Sequence, residues 1–167
     1  MKKHGPIVWQ TAYRLLGNYT DTADCFQETF VCALEVSRRQ RVRNFAGLLA
    51  RLATARAIDQ LRQRIRRPHA DTEPADWSAV PSRNPDPVQQ LQTQELAANL
   101  RKAIALLPEL QAQVFCLRHL NGMSYRLIAK QLGIKTSTAG VSLHRARANL
   151  RKLLEKCPTQ KESEVRL

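Results

Sequence analysis

Apolar residues recur at helical spacing along most of the chain. Trp9, Tyr13 and Leu16 lie at i, i+4, i+7, and Phe26, Phe30 and Ala33 repeat that spacing. Phe45, Leu49 and Leu52 do so again, and Ile58, Leu61 and Ile65 continue the stripe. Further on, Leu96, Leu100, Ala103, Ile104 and Leu107 form one set, and Leu110, Val114, Leu117 and Leu120 another. Each set predicts a helix with one face on a core. No stretch alternates with period two, so the pattern predicts an all-α fold.

Polar punctuation divides these helices. Asp21 is a predicted N-cap, with Asp24 at N3 favoured by the helix dipole. Residues 37–44 form a polar, Arg-dense break. Residues 68–87 change character: they hold Pro68, Pro74, Pro81, Pro85 and Pro87 with Asp71, Glu73, Asp76 and Asp86, and Trp77 is their one large apolar residue. Such a segment cannot bury a core, so it reads as an acidic linker between two small helical domains, 1–67 and 88–156. Asp86-Pro87 predicts an N-cap followed by Pro at N1. Pro108 restarts the chain, Asn121-Gly122 ends a helix, Ser124 caps the next, and Thr136 or Ser137 opens the last. Residues 157–167 read as a polar tail.

Charge then narrows the partners. The 167 residues carry 27 Lys and Arg against 14 Asp and Glu, a formal net charge of +13. That balance favours a polyanion, a nucleic acid or an anionic membrane surface. No apolar run approaches the roughly 20 residues of a membrane span. The basic start, Met1-Lys2-Lys3-His4, is followed by no apolar signal-peptide core, so no membrane insertion and a cytoplasmic location are expected. Cys25, Cys32, Cys116 and Cys157 form no CxxC pair, so free thiols are expected, with neither a zinc site nor a disulfide framework. No metal or other cofactor is expected.

Three segments carry candidate chemistry. Ser124 to Ile134, with Gly133 before a further helix reaching Leu143-His144-Arg145-Ala146-Arg147, has the layout of a helix-turn-helix. At about 100° per residue, Ala139, Leu143, Ala146 and Leu150 should face inward. Thr138, Val141 and Arg145 then face outward, flanked by Ser137, Ser142 and His144. Hydroxyls and Arg can reach base edges or phosphates, and Val141 can touch a thymine methyl. Arg126 and Arg147 are candidates for phosphate contact. The second segment, 51–67, sets Arg51, Arg56, Arg62, Arg64, Arg66 and Arg67 against Asp59 alone. The third is acidic: Asp21, Asp24 and Glu28, with Gln27 beside them. Nothing completes a catalytic site around Asp24 and Glu28, so a protein-docking patch is the better reading. Two other readings stay open on the residues alone: a stand-alone helix-turn-helix regulator, and a nucleic-acid-processing enzyme.

In the order of its motifs the chain resembles the extracytoplasmic-function (ECF) group of bacterial RNA polymerase sigma factors, in the sigma-70 family. Residues 11–18 with Asp24-Cys25-Phe26-Gln27-Glu28-Thr29-Phe30 resemble region 2.1–2.2, and residues 45–59 resemble region 2.3–2.4. Leu107-Pro108, Val114-Phe115, Leu117-Arg118, Ser124-Tyr125, Ile128-Ala129, Leu132-Gly133-Ile134 and residues 143–147 resemble region 4. The resemblance implies a non-enzymatic transcription initiation factor. Its partners would be core RNA polymerase, through the β′ coiled coil and the β flap, promoter DNA, and an anti-sigma factor. Asp24, Gln27 and Glu28 would meet the β′ coiled coil. Arg39, Gln40, Arg41 and Asn44, with Arg51, Arg56, Arg62 and Arg64, would open and read the −10 element. The last helix would read the −35 element. Gly140-Val141-Ser142 stands where the family often has Lys-Ser-Arg, which predicts a weaker hold on DNA by that helix.

Overall fold

The computed structural model describes residues 4–67 and 87–156, with side chains of the fourth helix described from Thr93 onward. All regular structure among them is helical: α1 (Gly5–Leu16), α2 (Tyr19–Arg39), α3 (Phe45–Arg66), α4 (Pro87–Leu106), α5 (Glu109–His119), α6 (Tyr125–Leu132) and α7 (Thr136–Glu155). The all-α expectation holds. The predicted linker up to Asp86, with Trp77, and the predicted tail 157–167 lie outside the described residues, whereas Pro87 opens α4.

Local chemistry sets the helix ends, in places not where the pattern put them. Gly17 closes α1 at φ 74°, a left-handed conformation that costs glycine little. The chain can therefore turn at once into α2. Asn18, not Asp21, is the N-cap there, its side chain accepting from Asp21 N at 2.9 Å. Asp21 becomes the N3 residue, where its carboxylate still meets the positive end of the helix dipole. The 37–44 break is shorter than predicted. Ser37 Oγ bonds the Leu34 carbonyl at 2.8 Å and stays helical, so α2 runs to Arg39. Asn44 then caps α3, accepting from Gly47 N at 2.8 Å. Lys135 precedes α7 without a side-chain cap, which makes Thr136 the first helical residue.

The apolar stripes are mostly right. In α1, however, the buried set is Val8, Thr11, Ala12, Leu15 and Leu16. Trp9 covers the rim instead, edge-on to Tyr19 at 5.2 Å and Phe26 at 5.9 Å. Ile65 and Leu96 are exposed. The first lies in the last turn of α3, and the second precedes the packed end of α4.

The core crosses the gap between the two helical units. One cluster joins Ala12, Leu15, Leu16, Cys25, Ala57, Ile58 and Leu61 to Ala103, Ile104, Leu107, Ala112, Cys116, Ala146 and Leu150. A second places Ala50 of α3 among Val114, Leu117, Ile128, Ala139 and Leu143. A third lies within the first unit, around Val8, Ala33, Leu49 and Ala53. Each fully buried Val, Leu or Ile side chain contributes about 1.5–3 kcal/mol, and each buried alanine methyl less. Side chains bridge the same seam: Arg14 Nη1 donates to Leu120 O at 3.1 Å, Arg101 Nε to Arg14 O at 3.1 Å, and Asn121 Nδ2 to Thr11 Oγ1 at 2.7 Å.

Candidate nucleic-acid interface

The α6–α7 pair is built from its turn. Ser124 caps α6 as predicted, its hydroxyl accepting from Leu127 N at 3.2 Å. Gly133 ends α6 at φ 65°, and Ile134 N returns to Ala129 O at 3.0 Å. This glycine-closed turn sets the angle at which α7 leaves. Ile128 and Ala129 are buried on one side, and Ala139, Leu143, Ala146 and Leu150 on the other.

With that face committed inward, the opposite face of α7 is open. Val141 is 50% exposed, which is high for an aliphatic residue. Ser137, His144, Arg145 and Arg147 are exposed, Thr138 is half-buried, and Arg126 is exposed on α6. Ser142 departs from expectation: it is buried. It sits about 60° from Ala139 and 40° from Ala146 around the helix, inside the packed arc. Arg147 leans on His119, its guanidinium 3.3 Å from Nε2. Burial, then the charges of Arg147 and Arg118, hold His119 below the usual histidine range. The neutral ring can accept that contact.

Sequence reasoning missed two arginines that brace this unit. Arg118 donates to Met123 O at 2.8 Å and lies over the Tyr125 ring, 5.2 Å from its centroid. It thereby ties α5 to the turn before α6. Arg101, in α4, is partly desolvated against the first unit, which lowers its pKa. Its partner Arg14 lies 87 residues away, a distance no local pattern reports.

The arginines of α3 are differently placed. Arg62 is committed across the seam: it donates from Nε to Ala105 O at 3.2 Å and from Nη2 to Leu107 O at 2.9 Å, and it pairs with Glu109. Arg64 donates to Leu16 O at 3.0 Å and pairs with Asp21. Burial lowers its pKa. Arg56 meets Glu28 at 3.7 Å, an exposed pair of small energy. Arg51 is half-buried. In the connection before α3, Arg39, Gln40 and Arg41 are exposed, while the Asn44 side chain is engaged as a cap.

The acidic residues do share one face. Asp24, Gln27 and Glu28 are exposed on α2, followed at helical spacing by Val31 at 57% and Leu34 at 55% exposure. An apolar stripe with an acidic head suits a protein partner better than a nucleic acid. Among the described residues no His, Cys, Asp and Glu cluster could hold a metal ion. Burial pushes the thiols of Cys25 and Cys116 up to about 11 and about 12, so neither is a thiolate at neutral pH. No described helix is long and apolar enough to cross a membrane.

The chain thus sets a helix-turn-helix unit against a helical unit that carries an exposed acidic face on α2 and an arginine-bearing α3. Comparison with known proteins gives the family. The model of sigma-70 region 2 matches residues 1–67, and that of sigma-70 region 4 matches residues 97–150. The ECF RNA polymerase sigma factor SigE of Mycolicibacterium smegmatis is 35% identical over 157 residues, 93% of this chain. The chain spans 60% of that relative's length. The ECF sigma factor SigW of Bacillus subtilis is 29% identical over 154 residues, 88% of this chain and 82% of that one. The sigma factor RpoE, in its co-crystal with the anti-sigma factor NepR from Bartonella quintana, shares the fold at TM-score 0.55. That likeness covers 92% of this chain and 93% of the other, at 21% identity. The chain belongs to the sigma-70 family, in its ECF group.

Proposed function

We propose that this chain is a promoter-specificity subunit that joins core RNA polymerase, directs it to −35 and −10 elements, and carries out no chemistry itself. The observation that carries the reading is the pairing, in family order, of a region 2 unit with a region 4 unit whose last helix leaves Val141, Arg145 and Ser137 open to solvent. Its site of action is the cytoplasm, where polymerase works. Residues 1–67 form the unit that binds core and reads −10, residues 88–156 the unit that reads −35, and residues 68–87 the connection.

In this reading Asp24, Gln27 and Glu28 dock on the β′ coiled coil, with Val31 and Leu34 adding apolar area. Arg145, Thr138 and Val141 read the −35 bases, with Ser137 and His144 beside them, and Arg126 holds a phosphate. Arg39, Gln40, Arg41 and Arg51 act at −10, and Arg56, Arg62 and Arg64 join them once released from their present partners. Ser142 is left out of the reading surface because it is packed inward. An anti-sigma factor would compete for these faces.

Run-off transcription with purified core polymerase on a genomic promoter library tests the proposal. Initiation at defined start sites that depends on the chain is expected. No dependence, with core and chain failing to co-purify, would overturn it. Specific binding of a duplex operator by the chain alone at physiological salt would favour a stand-alone regulator instead.

A further inference from the structure

We infer that His119 of α5 and Arg147 of α7 together make a phosphate site beside the helix-turn-helix, so that one DNA phosphate is gripped by two helices rather than by α7 alone. This role deepens the promoter reading proposed above and rests on it. The geometry is fixed from both sides. The His119 ring is tilted against Phe115 of its own helix, with centroids 4.6 Å apart and planes at 43°. Its Nε2 lies 3.3 Å from Arg147 Nη2. Behind this pair, Val114 and Leu117 of α5 share a core cluster with Leu143 of α7, and Asn149 Nδ2 donates to Gln111 Oε1 at 2.8 Å. Groups set by packing in this way lose little freedom when a ligand arrives.

The pair also stands in the right place. Around α7, Arg147 is about 60° from His144 and about 40° from Arg151. All three are exposed, so they form a basic wall along one side of the open face. His119, itself exposed, carries that wall onto α5. A helix lying in a major groove has phosphates along its flanks, and neighbouring elements reach them as well as the reading helix does. The position was not legible in the sequence, because His119 lies before the helix-turn-helix and 28 residues from Arg147.

Charge says what the corner accepts. The charges acting on the ring, Arg147 across from it and Arg118 beside it, are both positive, and with burial they disfavour its protonated form. Arg118 is engaged with Met123 O and the Tyr125 ring. Arg14 of α1 donates to Leu120 O, next to His119, and Arg151 lies beside Phe115. Glu109 stands at the opposite end of α5, paired with Arg62. A phosphate entering at His119 and Arg147 reverses this field. The imidazolium is then favoured, and Nε2–H and the guanidinium both donate to oxygens of that phosphate. Binding therefore takes up a proton. By linkage, affinity rises as pH falls through the pKa of the bound state and levels off below that of the free chain.

Fluorescence anisotropy of a labelled mixed-sequence duplex of about 30 base pairs, titrated with the full-length chain, tests this, since a phosphate contact needs no promoter. The wild type should bind at least about threefold more tightly at pH near 5.5 than at pH near 7.5. His119→Gln keeps a hydrogen-bonding side chain that cannot charge. It should lose at least about half of that gain, and more of it than His144→Gln does. At the lower pH, Arg147→Gln should reduce the salt slope by about 0.9. The double variant should depart from the product of the two single losses by at least about twofold, as groups on one phosphate do. These positions are exposed, so helical circular dichroism should be unchanged. A full pH gain in His119→Gln, a greater loss of it in His144→Gln, or single losses that simply multiply would overturn the inference. Failure of the wild type to support transcription with core polymerase would count against the sigma reading, and the duplex result would stand apart from it.

Discussion

Two arginine-bearing helices, α3 and α7, look alike in composition and differ in what their charges are doing. Arg62 and Arg64 of α3 are spent on backbone carbonyls and carboxylates, and Arg56 faces Glu28. On α7, Arg145 is exposed, and Arg147, also exposed, meets the His119 imidazole. The cause is what surrounds each helix. α3 is central, touching α1, α2, α4, α5 and α6, so its flanks meet polar helix ends that need donors. α7 packs along one stripe and keeps the rest for solvent. A count of arginines measures attraction to a polyanion, and only the neighbours decide which of them are available.

The comparison is first broken by destroying the packed stripe of α7. Leu143 is almost wholly buried, in the cluster that also holds Ala50 of α3. Leu143→Ala should cost about 2–5 kcal/mol, the loss of transfer energy plus a cavity. Chemical denaturation followed by circular dichroism reads it. A loss below about 1 kcal/mol would mean that the stripe is not what holds α7 in place.

The next test separates engaged from idle arginines. Arg62→Ala should lower stability by about 1.5–3 kcal/mol, because charged hydrogen bonds to buried carbonyls are lost. Arg56→Ala should cost under about 1 kcal/mol, as exposed ion pairs do. Equal losses in thermal denaturation would erase the contrast. For α7 the readout is DNA: with core polymerase on its own promoter, Arg145→Ala should lose about 1–3 kcal/mol of discrimination at one −35 position. Ser142→Ala should leave discrimination intact, since its hydroxyl is packed inward. Base-by-base competition binding checks both.

A smaller effect should run the other way. Gly140 lies inside α7, and a methyl group added there would meet nothing within 4 Å. Gly140→Ala should therefore stabilise the protein by about 0.5–1 kcal/mol through helix propensity. A lower melting temperature would show that α7 needs the glycine's backbone freedom within the fold itself.

What was legible in the sequence follows the range of each interaction. Helical spacing placed Ala139, Leu143, Ala146 and Leu150 correctly, because a stripe is a local property. Ser124 and Gly133 were readable for the same reason, since caps and turns use neighbouring atoms. Ser142 failed at the edge of the stripe, where a residue 40° from a buried position can fall either way. Asp21 was misread as a cap because Gly17 lets the chain re-enter a helix sooner than the polar pattern suggests. The seam was not legible at all. Arg62 meets Glu109 and Asn121 meets Thr11 across dozens of residues, and periodicity within one helix carries no information about them.

Acid titration offers the finest test, because it separates the seam from the α5–α7 contact. Burial alone would raise the Glu109 carboxyl, but hydrogen bonds from Arg62 and Gln113, with the Arg62 charge, pull it below its ordinary value of 4.5. A depressed carboxylate contributes stability that is complete above its unfolded pKa and is lost as pH falls through the folded one. The seam should therefore hold from neutral pH down to about 4.5 and loosen below it. His119 is also depressed, by burial and then by Arg147 and Arg118, so its neutral form is favoured in the fold. The unfolded chain protonates first on acidification, and stability should begin to fall near 6.5, before the seam responds. Both groups are largely exposed, so both steps are small. Melting temperature against pH should show the first step alone between about 6.5 and 5, and scattering should show expansion only with the second. Glu109→Gln should remove the second step and leave the first. Expansion beginning near 6.5 in that variant would assign the opening of the seam to His119 rather than to the Arg62–Glu109 pair.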